Sequence, residues 1–336
     1  MITKVVFDFD SLIGQDRASW IIRSILKKKA IPNAFLFTGK KGIGKSTVAK
    51  LISMACNCLE QEYTPCCNCK SCKKIQSGNH PDIITVEPEP SPSSPDSFSI
   101  RVDKIRDICS VIELKPFEGK FRVIIIEDAH YMNPQASNVL LKSLEEPPPS
   151  TFFILCAHSS SLLLPTIVSR CRHIRFNPID NKKIQDFLLK NYDIDENSAF
   201  LISIMCDGSI STALEMMKNN FINFRAFFLE QLHEFNFEKI GYILSFAESV
   251  SKNKKHVAYA LDILSSWIRD LIIIRYSREK IINKDIENKL ISLYENEKIE
   301  GLLNKLEKIL VLKRNLSSSI NLRLNIESML FNLARK

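Results

Sequence analysis

Residues 39–47, GKKGIGKST, are built to hold a polyphosphate. They fit G-x-x-x-x-G-K-[ST] through Gly39, Gly44, Lys45 and Ser46, with Gly42 adding turn freedom and Thr47 continuing into a helix. Glycines let successive backbone N–H groups turn inward around an anion, and the positive end of the following helix adds to that field. Lys45 supplies a point charge near the β- and γ-phosphates, and the Ser46 hydroxyl can ligate Mg²⁺. Three of the nine glycines in the chain fall within residues 39–44, so backbone freedom is concentrated where the motif needs it. ATP with Mg²⁺ is the expected ligand.

A second constellation is RVIIIEDAH, residues 122–130. It reads as an apolar strand ending in Glu127 and Asp128. Beside a phosphate loop, the first acid approaches the Mg²⁺ shell and the second orients an attacking water. The usual order in strong hydrolases is Asp then Glu. Here the second carboxylate is one methylene short, and positioning errors of about 1 Å can cost roughly a hundredfold in rate.

The third is a run of thiols. Six of the ten cysteines lie between Cys56 and Cys72. Cys66, Cys69 and Cys72 form overlapping C-x-x-C spacings, and Cys58 is the fourth candidate across a short loop, with Cys56 and Cys67 competing for that place. Such thiolates suit a closed tetrahedral Zn²⁺ site, which is structural and leaves no position for catalysis.

These groups need a sheet to position them. Ala34–Thr38 (AFLFT), Arg122–Glu127 and Thr151–Cys156 read as buried strands, and Thr47–Met54 as a helix with Val48, Leu51 and Ile52 on one face. Asn133 and Pro134 start another helix, faced by Ala136, Val139, Leu140 and Leu144, which Pro147–Pro149 stop. Strands separated by helices predict an α/β fold with a parallel sheet covered on both faces. EPEPSPSSPDS, residues 87–97, reads as an exposed loop. Beyond about residue 175 the patterns are helical, including Ile243–Phe246, Val257–Arg269 and Leu302–Leu312.

The chain has 336 residues, enough for two or three domains. Its net charge of +8 is a mild bias toward anionic partners. The N-terminal MITKVVFDFD does not read as a signal peptide, and no window predicts a membrane span, so a cytoplasmic location is expected. Lys27, Lys28 and Lys29 read as a solvated helix end, and Trp20 and Trp267 as core anchors.

Together the motifs resemble the clamp-loader subunits of bacterial DNA polymerase III, a branch of the AAA+ ATPases. The resemblance rests on FDSLIGQDRASWIIRSILKKKAIPNAFLFTGKKGIGKST, PCCNCKSC, HPDIITVEP, VDKIRDI, FRVIIIEDAHYMNPQASNVLLKSLEEPPPSTFFIL and LLPTIVSRCRHIRF, in the family's order. It implies an AAA+ nucleotide-binding domain over residues 1–176 with a zinc module at about 56–75. A helical lid over 177–219 and an all-helical collar over 220–336 would follow. It also implies gamma/tau- and delta-type partner subunits in a hetero-oligomeric ring, a sliding clamp, and primer-template DNA reached through the complex. Arg170, in the SRC motif of residues 169–171, becomes an arginine finger acting in trans on a neighbour's nucleotide.

Some positions depart from the active members of that family. Ala157-His158-Ser159 follows the strand TFFILC where a polar γ-phosphate reader is usual. In GSISTAL, residues 208–214, Ser211 stands where an arginine is frequent. Own ATPase activity is therefore expected to be weak or absent. The alternatives are a gamma-type motor subunit of the same loader and a stand-alone P-loop kinase. Leu12 and Ile13 would line an adenine pocket or pack in the core.

Overall fold

The computed structural model describes residue 9 and residues 12–91, 94–233, 240–294, 298–315 and 322–334. Helix α1 (Asp16–Lys27) comes first, with Ala18, Ile22 and Leu26 buried at four-residue spacing. Strand β1 (Ala34–Thr38), helix α2 (Lys45–Asn57) and helix α3 (Lys70–Ser77) follow. Then come β2 (Ile83–Val86), β3 (Glu89–Ser91), β4 (Ser94–Ser99) and α4 (Val102–Ile112). Next are β5 (Arg122–Ile126), α5 (Pro134–Glu145), β6 (Thr151–Ala157), α6 (Pro165–Val168) and β7 (Arg172–Arg175).

Five strands form one parallel sheet in the order β2-β5-β6-β1-β7. Strands β1, β5 and β6 are buried throughout. Side chains alternate between the two faces, as a pleated strand requires. Phe35, Phe37, Val123, Ile125, Phe152 and Ile154 join one core with α1, α2 and the thiol-bearing insert. Leu36, Ile124, Ile126, Phe153 and Leu155 join the other with α4 and α5. Each fully buried Phe or Ile contributes roughly 1.5–3 kcal/mol.

A buried ion pair ties the edge of this sheet. Asp82, fully buried, accepts N–H bonds from Phe117 (2.6 Å), Glu118 (2.8 Å) and Gly119 (2.8 Å) and pairs with Arg122 Nη2 at 3.2 Å. Arg122 Nη1 donates to the carbonyls of Val111 (2.6 Å) and Leu114 (2.7 Å), closing the C-terminus of α4.

The remaining described chain is helical: α7 (Asn181–Asn191), α8 (Glu196–Met205), α9 (Ile210–Lys218), α10 (Phe221–His233), α11 (Ile240–Ser251), α12 (Lys254–Ile273), α13 (Glu287–Tyr294), α14 (Ile299–Asn315) and α15 (Leu322–Ala334). Contacts divide the chain into two units, Met1–Ile194 with Cys206–Thr212, and Asp195–Met205 with Ala213–Lys336. In the second unit, Arg225 is buried and bonds Asp285 and Asn283, while Asp270 accepts from the backbone N–H groups of Ile282 and Asn283. No described helix is long and apolar enough to cross a membrane.

Three expectations are corrected. The stretch at 87–97 is no loop throughout, because β3 and β4 pair antiparallel, Glu89 with Ser99 and Pro90 with Phe98. Trp20 is 70% exposed, since it lies off the buried stripe of α1. Trp267 is only half-buried.

Candidate nucleotide site and thiol cluster

The phosphate loop runs from the end of β1 into α2. Gly39 (φ 145°), Gly42 (φ 79°) and Gly44 (φ 106°) all take backbone angles that side chains disfavour. The Gly39 N–H is shared between the carbonyls of Ala157 (3.2 Å) and His158 (3.1 Å), so the loop hangs from the end of β6 as well as from β1. A Cβ on Gly39 would lie 2.5 Å from the Phe176 carbonyl, whereas one on Gly44 would meet nothing within 4 Å. The loop is thus packed from behind and open at its mouth.

Lys45 is 6% exposed, and its ammonium donates to the carbonyls of Gly39 and Lys40, each at 2.7 Å. Burial pulls its pKa down, opposed by the neighbouring Cys156, Asp128 and Glu127. Burial pushes the Glu127 carboxyl up, opposed by the neighbouring Ser46 hydroxyl. Cys156, a buried residue of β6, also favours the charged form of Glu127, a proximity that residue order alone does not reveal. Asp128 sits in left-handed backbone geometry (φ 46°, ψ 47°), a strained conformation for a non-glycine residue. Thr47 is half-buried one position further along α2. Ser46, Glu127, Asp128 and the exposed His158 line one cavity of about 760 Å³ together with Lys41 and Lys50. An open cradle, a buried lysine and a hydroxyl–carboxylate pair fit a nucleotide polyphosphate with Mg²⁺.

Two contacts to the loop come from distant sequence. The Gln15 side chain donates to Ile43 O (3.1 Å) and Asn177 O (2.8 Å), fastening the loop to the chain after β7. Residues 206–212 cover Gly42: Ser211 N donates to its carbonyl at 3.2 Å, and Ser209 Oγ lies 2.3 Å from where a Gly42 Cβ would be. Ser211 brings no charge to this place. Leu12 packs against the core and Ile13 is half-buried.

Arg170 follows the short helix α6 and is exposed. It is not among the residues lining the cavity beside Ser46 and Glu127. Its Nε donates to Glu145 Oε1 at 2.5 Å.

Cys58, Cys66, Cys69 and Cys72 converge, with ligand atoms all within 4.8 Å of one another. Cys58 closes the end of α2 and Cys69 caps α3. Backbone N–H groups support the sulfurs: Cys69 N donates to Cys66 Sγ (3.3 Å) and Cys72 N to Cys69 Sγ (3.4 Å). Burial raises the Cys66 thiol, but the backbone N–H groups of Asn68 and Cys69 and the thiols of Cys58 and Cys69 more than offset it and bring it down to about 7. Cys56 stays outside the group, its thiol pushed far up by burial, and Cys67 Sγ faces the Pro65 carbonyl at 3.9 Å. Four convergent thiols with N–H···S support fit a closed Zn²⁺ site.

Sheet, phosphate loop, acidic strand end and covering segment define an AAA+-like P-loop protein carrying a Cys₄ insert. Residues 14–180 match the family model described as "DNA polymerase III, delta subunit", and residues 219–335 match its C-terminal counterpart. Over 315 residues the chain is 30% identical to DNA polymerase III subunit delta' of Bacillus subtilis, covering 92% of this chain and 93% of that one. It belongs to the DNA polymerase III delta-prime family. It is also 31% identical over 215 residues to the B. subtilis tau subunit, covering 62% of this chain and 37% of that protein. A gamma subunit-related protein of Thermotoga maritima shares the fold, with a TM-score of 0.50, 19% identity, and coverage of 95% and 99% of the two chains.

Proposed function

We propose that this chain is the delta-prime-type subunit of a bacterial DNA polymerase III clamp loader. In that role it helps ATP-dependent loading of the sliding clamp onto primed DNA. The observation that carries this reading is the extent of likeness: the delta' relative matches over 92% of this chain, while the tau relative matches over 62% of it. Its partners are gamma/tau- and delta-type subunits in a hetero-oligomeric ring in the cytoplasm. Primer-template DNA is met through the complex.

Within that assembly Gly39, Gly42, Gly44, Lys45, Ser46 and Thr47 hold a nucleotide. Ser46 and Glu127 bind Mg²⁺, which when bound neutralises phosphate charge. Asp128 is placed to orient water, but its short side chain, the Ala157-His158 strand end and the uncharged Ser211 favour holding nucleotide over turning it over. Arg170 acts on the nucleotide of a neighbouring subunit, placing a permanent guanidinium where charge develops in phosphoryl transfer. Cys58, Cys66, Cys69 and Cys72 hold a structural Zn²⁺. Residues 177–219 serve as the lid and 220–336 as the collar that joins sister subunits.

The test is ATP turnover by the assembled loader with clamp and primed DNA. Arg170→Ala should slow it by about tenfold or more, since arginine fingers are worth 10³–10⁵ in favourable cases. It should leave nucleotide binding by the isolated chain unchanged. Lys45→Ala should leave turnover within about twofold, a change of under 0.5 kcal/mol. The opposite pattern would identify a motor subunit, and failure to co-purify with loader subunits would remove the reading altogether.

A further inference from the structure

The guanidinium of Arg170 is held on two sides. Its Nε donates to Glu145 Oε1 at 2.5 Å, and Nη2 pairs with the same oxygen. Its Nη1 donates to the Thr166 carbonyl at 3.0 Å and to Ser169 Oγ at 3.4 Å. Glu145 is the last residue of α5, Arg170 lies just beyond α6, and those two helices are in contact. With Nε, one N–H of Nη2 and both of Nη1 engaged, the second N–H of Nη2 is left for an outside acceptor.

Both partners remain partly in water, so the pair contributes little to folding. Its effect falls on orientation instead. A free arginine side chain samples many rotamers, and that freedom is lost when the group must meet a transition state in one pose. A carboxylate on the Nε edge and a carbonyl under Nη1 remove that freedom in advance, which is how preorganised donors act.

We propose that Glu145 is a positioning residue for the Arg170 finger, presenting the guanidinium in one orientation to the phosphate of the neighbouring subunit. This rests on the reading of Arg170 given above. Glu145 touches no nucleotide itself. It works through the side chain it holds.

The experiment is steady-state ATPase of the assembled loader with clamp and primed DNA. Glu145→Ala should lower kcat about 3- to 10-fold with KM for ATP unchanged, as loss of preorganisation at one contact predicts. Glu145→Gln, which keeps an acceptor oxygen, should recover part of the loss. In an Arg170→Ala background, Glu145→Ala should have no further effect. An unchanged or faster Glu145→Ala loader would overturn the proposal, as would an equal loss in both backgrounds, which marks a merely structural role. If Arg170→Ala itself leaves the rate unchanged, the reading of Arg170 fails and Glu145 falls with it. A slow Arg170→Ala loader beside a normal Glu145→Ala loader overturns Glu145 alone.

Discussion

Ser46 of the phosphate loop and Glu127 at the end of β5 line one cavity, where the Ser46 hydroxyl opposes the burial that raises the Glu127 carboxyl. The two candidate Mg²⁺ ligands come from segments that the sheet order separates, since β6 lies between β5 and β1. Their pairing makes nucleotide affinity separable from metal use. Lys45→Ala should weaken ATP binding by the isolated chain at least about tenfold, the loss of one charge-assisted contact. Glu127→Gln should keep binding within a few fold and flatten its Mg²⁺ dependence. Titration with a fluorescent ATP analogue at several Mg²⁺ concentrations measures both.

Gly42 and Ser209 are in contact where residues 206–212 cover the loop. Gly42→Ala places a methyl 2.3 Å from Ser209 Oγ at φ 79°, so it should cost about 1–3 kcal/mol of stability. Ser211 Cβ, 2.6 Å from the same methyl, adds to the clash. Thermal melts of the parent and the variant check this, and equal melting of the two would contradict it.

Asp82 should dominate the acid limb of stability. Its burial raises the carboxyl, but three backbone N–H bonds and Arg122 outweigh that and hold it below the ordinary range. A group with a depressed folded pKa stabilises the fold above its unfolded value, roughly 3.9. That contribution is lost as pH falls through the lower folded value. Asp82→Ala leaves Arg122 buried without its carboxylate and should cost about 3–5 kcal/mol at neutral pH. Denaturant melts from pH 7 to about pH 2 should show the variant with a flatter acid limb than the parent.

The thiol cluster predicts zinc content by residue. Cys72→Ser should lose bound zinc and lower Tm by roughly 5 °C or more. Cys67→Ser should retain one zinc per chain. Elemental analysis with thermal melts distinguishes them, and zinc loss in the Cys67 variant would revive it as a ligand.

Much of this was legible locally and little of it at a distance. The phosphate loop, β1, β5, β6 and the Asn133 cap are carried by contiguous residues, so spacing alone finds them. Strand β7 escapes because it is a charged edge, RHIR, with only Ile174 buried. Strand β2 escapes because its three leading residues are only partly covered or exposed. The β3–β4 hairpin escapes because proline and serine mask any alternation. Trp20 could have been read correctly: Ala18, Ile22 and Leu26 define the inner stripe of α1, and position 20 lies off it. Gln15, Ser209 and Glu145 act on residues far along the chain, and no local pattern marks them.

The sheet order also constrains how the chain matures. Phe37 of β1 pairs with Cys156 on one side and Ile174 on the other. The strand that carries the phosphate loop therefore gains neither neighbour until synthesis has reached β6, more than a hundred residues further on. Such long loops close slowly compared with local structure. The thiol insert, spanning Cys58 to Cys72, is local and can order while the nascent chain is still short. A ribosome-bound chain halted before β6 would thus be expected to hold metal before it can hold nucleotide.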